Sequence, residues 1–129
     1  MTYTININNL PQEKFGDSPE LADELADLIV RGIKTATCSA YSSKKDRINI
    51  GHKVVVLNSK NKSVCIIETV KIDIIEFNKI SEAFAHKEGE GDLSLEFWRK
   101  EHKKFFEKMG FFSENMLLFC EEIKVVHIF

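Results

Sequence analysis

Two β-prone segments on either side of a short polar turn constrain the fold of this chain most strongly. Residues 53–57 form a compact valine-rich run, and residues 64–77 form a longer segment rich in branched side chains. Between them, residues 58–62 read NSKNK, a composition typical of a turn. Runs of this kind beside a polar turn predict an antiparallel hairpin. The apolar segment 115–129 predicts a further strand near the end of the chain.

Two segments with helical periodicity accompany these strands. The first begins at Asp17 or Ser18, whose side chains can cap free N–H groups, and Pro19 suits its first turn. One apolar face then follows, formed by Leu21, Leu25, Leu28 and Ile29. Gly32 is placed to end this helix, because glycine adopts the left-handed conformation at little cost.

The second predicted helix spans residues 93–109 and ends at Gly110. Its large side chains share one face, formed by Leu95, Trp98, Phe105, Phe106 and Met109. Such a stripe can serve as a base-stacking platform, but its helical spacing favours packing in the core. The preceding segment, residues 85–92, contains two glycines and several charges and is predicted to be a loop outside the core. The order of helix, strands, helix and strand predicts an α+β fold or a small barrel.

Length and composition indicate one domain in the cytoplasm of a microbe. The 129 residues suffice for a single core. Within residues 1–14, the alternation of Tyr3, Ile5 and Ile7 predicts a short strand or an N-terminal extension. We expect no membrane partner, because no apolar run approaches the ~20 residues that span a bilayer and no signal peptide is visible. Three widely spaced cysteines favour a reducing compartment.

Charge is unevenly distributed, although the net charge is only −2. Residues 31–62 contain eight Lys or Arg and one acid, Asp46, whereas residues 13–27 contain six acids and one lysine. A basic segment of this kind can face a polyanion such as RNA, and it is equally typical of a solvated loop and hairpin. Composition alone leaves both interpretations open.

The sequence predicts no metal and no cofactor. Its histidines, His52, His86, His102 and His127, are scattered, and none lies at metal-ligand spacing from a cysteine or another histidine. His102, beside the apolar face of the second helix, is expected to be a packing or surface residue. The glycine-rich loops that cradle nucleotide phosphates, GxxxxGK[ST] and GxGxxG, do not occur.

Two local clusters have side chains suited to chemistry. Lys34 lies among hydroxyls in residues 32–37, which read GIKTAT. A lysine there can hold an anion, or act as a base if burial lowers its pKa, and a threonine hydroxyl becomes a nucleophile when a base takes its proton. The second cluster is Glu88, Glu90 and Asp92, whose carboxylates can relay protons. Spacing alone does not show whether the two clusters meet.

Three motifs, in this order, resemble those of the ASCH domain family and in particular of its small bacterial stand-alone members. They are residues 15–25 (FGDSPELADEL), residues 32–37 (GIKTAT) and residues 85–94 (AHKEGEGDLS), the last followed by Phe97 and Trp98. The resemblance implies a small PUA-like β-barrel with helices packed around it and a cleft lined by the G-x-K-x-x-T element. It also implies a function linked to RNA: some members deacetylate N4-acetylcytidine, and others are assigned ribonuclease activity.

The resemblance further implies a set of site residues. Lys34, Thr37 and Glu88 match the catalytic lysine, threonine and glutamate of the deacetylating members. In that chemistry Lys34 activates Thr37 or a water, and Glu88 carries a proton to the departing cytosine amine. In a ribonuclease, Lys34 would instead hold the scissile phosphate. The candidate substrate-binding residues are Thr35, Tyr41, Glu90 and Ser94.

The chain also departs from the family pattern. Ile33 stands where a basic residue is common, and the GEGD loop and second helix are additions that can narrow or cover the cleft. Three functions stay open at this point. They are hydrolysis of an N4-acylated cytidine, cleavage of single-stranded RNA, and non-catalytic binding of RNA or a modified nucleoside.

Overall fold

The computed structural model describes residues 9–41 and 48–129. Its elements, in chain order, are β1 (Gln12–Lys14), α1 (Pro19–Val30), β2 (Ala36–Ala40), β3 (Lys53–Leu57), β4 (Ser63–Glu76), α2 (Glu82–Glu88), α3 (Leu95–Met109) and β5 (Leu117–Ile128). The alternating residues Tyr3, Ile5 and Ile7 and most of the polar segment after Tyr41 lie outside the described residues. Among the described residues, no helix combines the length and the apolar character needed to cross a membrane.

The five strands form one curled sheet in the order β1-β3-β4-β5-β2. The predicted hairpin is confirmed, since β3 and β4 pair antiparallel with Val55 opposite Ile66. β5 pairs antiparallel with both β4 and β2, while β1 runs parallel to β3. Because the sheet curls into a half-barrel with helices beside it, the predicted α+β class and small-barrel architecture are confirmed.

α1 begins and ends as its sequence predicts. The Ser18 hydroxyl accepts a hydrogen bond from the Leu21 N–H at 3.1 Å, so it caps the helix. The helix ends at Val30, and Gly32 has the left-handed φ of 75° that the turn requires. The apolar face of α1 packs against β3, β4 and β5 through a core cluster that includes Leu25 and Ile29. α1 therefore anchors the segment that carries the lysine motif.

α3 packs a second core cluster against the other side of the sheet. Ser94 caps its first turn, and Gly110 ends it with a φ of 88°. Trp98 and Phe106 are buried against Phe77 and Leu118, which confirms the core interpretation for these two aromatic residues. Leu95 is partly buried against the same cluster, whereas Phe105 and Met109 are exposed at 41% and 56% of their surface.

The segment predicted to be an exposed loop, residues 85–92, is helical in its first half. α2 extends to Glu88, whose surface is only 1% exposed. The helix ends at Gly89, where a Cβ atom would lie 2.7 Å from the Ile33 carbonyl oxygen. Glycine therefore allows the end of α2 to touch the lysine motif. A backbone hydrogen bond of 2.7 Å from the Thr35 N–H to the Lys87 carbonyl holds this contact.

Candidate functional site

Lys34 is a buried cation held between two carboxylates. Its side chain is 2% exposed, and its Nζ lies 3.6 Å from Glu88 Oε1 and 3.0 Å from Glu90 Oε2. The same ammonium donates to the Glu88 carbonyl oxygen at 3.3 Å. The lysine motif and the acidic segment therefore meet in one site, although more than fifty residues separate them in the chain.

The second oxygen of the Glu88 carboxylate is engaged by three other side chains. Trp98 donates its Nε1–H to Oε2, His102 Nε2 lies 3.0 Å from the same oxygen, and the Cys38 thiol lies at 3.9 Å. Glu88 is thus surrounded by donors on both oxygens, as a buried carboxylate must be to remain ionised.

The neighbours of His102 fix its protonation. Its Nδ1 lies 2.8 Å from the Trp98 carbonyl oxygen, which can only accept a hydrogen bond. Its Nε2 faces the Glu88 carboxylate, which also only accepts when ionised. Both ring nitrogens must then carry hydrogen, so His102 is an imidazolium opposite an ionised Glu88. Two cations and two carboxylates balance in this small volume, which we call the ion cluster (Lys34, Glu88, Glu90 and His102).

The pKa values follow the same balance. Burial alone would lower the pKa of Lys34, but the charges of Glu88 and Glu90 outweigh it and raise that pKa above 10.5. Burial would raise the pKa of Glu88, but Lys34 and His102 together bring it below 4.5. Burial would lower the pKa of His102, but its hydrogen bond and charge contact with Glu88 bring it above 6.5. Lys34 therefore keeps its proton at neutral pH, which favours the anion-holding role over the role of a base.

Cys38 joins the ion cluster as a neutral thiol. Burial, followed by the negative charge of Glu88, raises the pKa of this thiol well above 9.0. Cys38, Glu88 and His102 place their potential ligand atoms within 4.8 Å of one another, so they are the described residues best arranged to hold a metal ion. A metal would have to displace the protons of Cys38 and His102 beside the Lys34 ammonium. Charge balance is already reached without it, and absence of a metal stays a prediction.

The ion cluster opens into a cavity of about 500 Å³, which we call the ion chamber. A second cavity of about 510 Å³, the barrel chamber, lies on the open side of the half-barrel. The residues that line both are Phe15, Gly16, Thr37, Cys38, Phe105 and Phe106. Because they share these walls, the two chambers form one cleft between the end strands of the sheet and α3.

Of the predicted site residues, Lys34, Thr37, Glu88 and Glu90 line the ion chamber. Lys34 and Cys38 approach Glu88 on one side of β2. Thr37 pairs with Glu121 of β5, and Thr37 and Glu121 both line the barrel chamber. Thr37 is therefore the hydroxyl at the junction of the two chambers.

The other predicted substrate-binding residues lie away from the chamber walls. The Thr35 backbone N–H and hydroxyl both point to the Lys87 carbonyl, at 2.7 and 3.5 Å. The Ser94 hydroxyl accepts from the Phe97 N–H at 3.0 Å as the cap of α3. Tyr41 directly follows β2 and is partly buried. Thr35 and Ser94 thus hold backbone, because the Thr35 hydroxyl is directed at the Lys87 carbonyl of α2 and the Ser94 hydroxyl at the Phe97 N–H of α3.

Sequence reasoning missed His102, Trp98 and Cys38. Trp98 and His102 lie one turn apart on α3, with ring centroids 4.2 Å apart in a stacked arrangement. A spacing of about four residues on a helix indicates that two side chains share one face, so the sequence predicts that these two rings are neighbours. The contact of both rings with Glu88 could not be predicted, because a charged residue in a glycine-rich segment is usually exposed.

The fold and the cleft define the class of this protein as a small α+β half-barrel domain with a buried ion cluster. Over residues 12–127 the chain matches the family model of the ASCH domain, and it therefore belongs to the ASCH domain family. This family has a PUA-like fold and is generally RNA-binding.

Two solved structures share both fold and sequence with this chain. An ASCH domain from Lactobacillus crispatus JV V101 is 39% identical with a TM-score of 0.83, covering 92% of this chain and 80% of that one. Protein EF3133 from Enterococcus faecalis V583 is 34% identical with a TM-score of 0.80, covering 92% and 77%. Hypothetical protein PH0355, at 18% identity and a TM-score of 0.60 over 81% and 93%, is similar in fold alone. Comparison with curated proteins found no match.

Proposed function

We propose that this protein binds a modified nucleoside in its cleft and hydrolyses the amide of an N4-acylated cytidine. The observation that carries this proposal is the buried Lys34 ammonium, held 3.0 Å from Glu90 and 3.6 Å from Glu88 at the wall of the ion chamber. A fixed cation in a site sheltered from water stabilises the negative charge that develops on an amide oxygen. The Thr37 hydroxyl lines the same chamber.

The chemistry needs only side chains of the cleft and water. The Thr37 oxygen attacks the acyl carbon while its proton passes through a bound water to the Glu88 carboxylate, which faces the other side of β2. The amide oxygen becomes an oxyanion opposite Lys34. When the carbon–N4 bond breaks, Glu88 returns the proton to N4 and cytidine leaves. A water then cleaves the acyl-threonine ester, which gives the carboxylic acid and restores the hydroxyl.

His102 acts as a positioning residue in this scheme. Its Nε2 is 3.0 Å from Glu88 Oε2, and its Nδ1 is 2.8 Å from the Trp98 carbonyl. The ring therefore fixes the orientation of the carboxylate and keeps it ionised between proton transfers. Lys34 contributes as a cation, and its raised pKa is suited to that role.

The experiment is to incubate the purified protein with N4-acetylcytidine and to follow cytidine by chromatography. Thr37→Val keeps the side-chain shape and removes the hydroxyl, so we expect it to lose cytidine release by about 100-fold or more. Thr37→Ser keeps a hydroxyl and should retain activity, which separates chemistry from folding. Lys79→Ala is the surface control, because Lys79 pairs with Glu76 away from the cleft. No cytidine from the wild-type protein would contradict the hydrolysis.

A second candidate function is RNA binding, with or without cleavage of single-stranded RNA. It is favoured by Lys104 and Lys108 of α3, which line the ion chamber near the exposed ring of Phe105. Lysines supply phosphate contacts and exposed aromatic rings supply stacking surfaces. RNA association that weakens steeply with salt, or RNA fragments that disappear in Thr37→Val, would support this function instead.

A further inference from the structure

The barrel chamber has a polar floor, of which the proposed amide chemistry uses only Thr37. Thr37 and Ser39 lie two apart on β2, so their side chains share a face. Glu121 of β5 pairs directly with Thr37 and extends the same face. All three line the barrel chamber, and so does Thr69 of β4.

Two of these floor residues form a buried hydrogen bond. The Thr69 hydroxyl donates to Glu121 Oε1 at 2.9 Å, and the two residues are 3% and 7% exposed. A carboxylate has two oxygens and accepts several hydrogen bonds, so Glu121 can accept from a ligand in addition to its protein neighbours.

Ser39 supplies the second, independent observation. Its Oγ is buried and has no hydrogen-bond partner among the residues that the structure describes. A buried hydroxyl without a partner costs about 1–3 kcal/mol, and a bound water or ligand is one of the ways in which native proteins satisfy such a group. The Ser39 hydroxyl and the Glu121 carboxylate therefore define a site for a ligand that carries hydroxyl groups.

The surroundings narrow the class of ligand. The walls above the floor are apolar, with Val54, Ile67 and Ile123 on the sheet and Phe105 and Met109 on α3. A flat base suits such walls, and a vicinal diol suits a carboxylate beside a hydroxyl.

We propose that the barrel chamber binds the ribose of the nucleoside, with its hydroxyls at Ser39 and Glu121. The inference rests on the proposed function, because the orientation of the nucleoside is set by placing its N4 amide at Thr37 and the ion cluster. Thr37 and Ser39 are two residues apart on β2, which corresponds to about 6.6 Å. This distance is similar to that between the exocyclic amine of a pyrimidine nucleoside and its sugar. The cleft would then recognise the ribonucleoside in preference to the free base.

The test compares N4-acetylcytidine, N4-acetyl-2′-deoxycytidine and N4-acetylcytosine as substrates. Ser39→Ala and Glu121→Gln should each raise KM for the ribonucleoside by about tenfold with little change in kcat. Their KM for N4-acetylcytosine should stay at the wild-type value. Ser63→Ala, at the start of β4, is the matched control and should change neither. Equal effects on all three substrates would overturn the ribose site.

Binding measurements keep this inference separate from the catalytic proposal. If the wild-type protein hydrolyses none of the three substrates, calorimetry with cytidine and cytosine still tests the barrel chamber. We expect cytidine to bind more tightly than cytosine, and Ser39→Ala and Glu121→Gln to remove that difference while the thermal midpoints show folded proteins. Equal affinity for cytidine and cytosine in the wild-type protein would contradict the site, whatever the outcome for hydrolysis.

Discussion

His102 Nε2 lies 3.0 Å from Glu88 Oε2, within a site that also contains the Lys34 ammonium. The pair makes the stability of the protein depend on pH in a defined direction. The folded-state pKa of His102 lies above 6.5, so its contribution is complete below about pH 6.5 and is lost as pH rises through the folded pKa. The folded-state pKa of Glu88 lies below 4.5, so its contribution is complete above about pH 4.5 and is lost as pH falls through the folded pKa.

We therefore expect His102→Gln to remove the alkaline part of this dependence. Wild-type protein should lose unfolding free energy as pH rises from 6.5, while the variant should show a flatter curve over the same range. Near pH 6 the variant should be less stable by on the order of 1–3 kcal/mol, because a buried charged hydrogen bond is lost. Urea unfolding at a series of pH values measures this, and two parallel curves would contradict the assignment of an imidazolium.

Substitution of Lys34 tests whether the ion cluster is held together by charge. Lys34→Met leaves the carboxylates of Glu88 and Glu90 without their common cation, at a cost of about 3–5 kcal/mol. Adding Glu88→Gln to that variant should recover part of the loss, because one of the uncompensated charges is then removed. Chemical denaturation of the single and double variants gives the coupling energy. Additive losses would show that Lys34 and Glu88 do not stabilise each other.

Gly89 and Gly110 form a matched pair for testing the contact between α2 and the lysine motif. Both have left-handed φ, at 75° and 88°, so alanine costs about 1 kcal/mol at either position from backbone conformation alone. Only at Gly89 would the added Cβ also meet backbone, 2.7 Å from the Ile33 oxygen. Gly89→Ala should therefore lower the thermal midpoint more than Gly110→Ala, and equal shifts would argue against the close approach.

The Cys38 thiol should be unreactive in the folded protein. Its pKa is raised well above 9.0 by burial and by the charge of Glu88, so the nucleophilic thiolate is scarce at neutral pH. Alkylation with iodoacetamide at pH 8, followed by mass spectrometry, should modify Cys38 in urea but only slowly in buffer. Fast modification of the native protein would mean that the thiol is ionised and that the charge balance of the ion cluster differs from our account.

The parts of the fold that sequence predicts well are those fixed by neighbouring residues. The hairpin of β3 and β4 follows from a valine-rich run and a polar turn, and the start of α1 follows from the Ser18 cap. The parallel pairing of β1 with β3 was not predictable, because nothing local to residues 12–14 specifies a partner about forty residues away.

In the candidate site, too, some features are predictable from neighbouring residues and others depend on distant ones. Lys34, Thr37 and Glu88 were identified from motif resemblance, and the structure brings all three to one chamber. The burial of Glu88 was not predicted, since a lone carboxylate beside glycines is ordinarily solvated. It is buried because donors from the lysine motif, β2 and α3 converge on it, and the role of His102 among them is visible only in the tertiary structure.

The three-residue interval between Lys34 and Thr37 has a consequence for how a substrate can lie. Lys34 approaches Glu88 on the Cys38 side of the strand, and Thr37 faces the barrel with Glu121. Neighbouring residues of a strand face opposite sides, and Thr37 adjoins Cys38 in β2, so a molecule that touches both the cation and the hydroxyl must straddle the outer margin of the sheet. Deleting one residue between them would point the hydroxyl toward Glu88 and away from Glu121. The interval is therefore as much a part of the motif as its side chains.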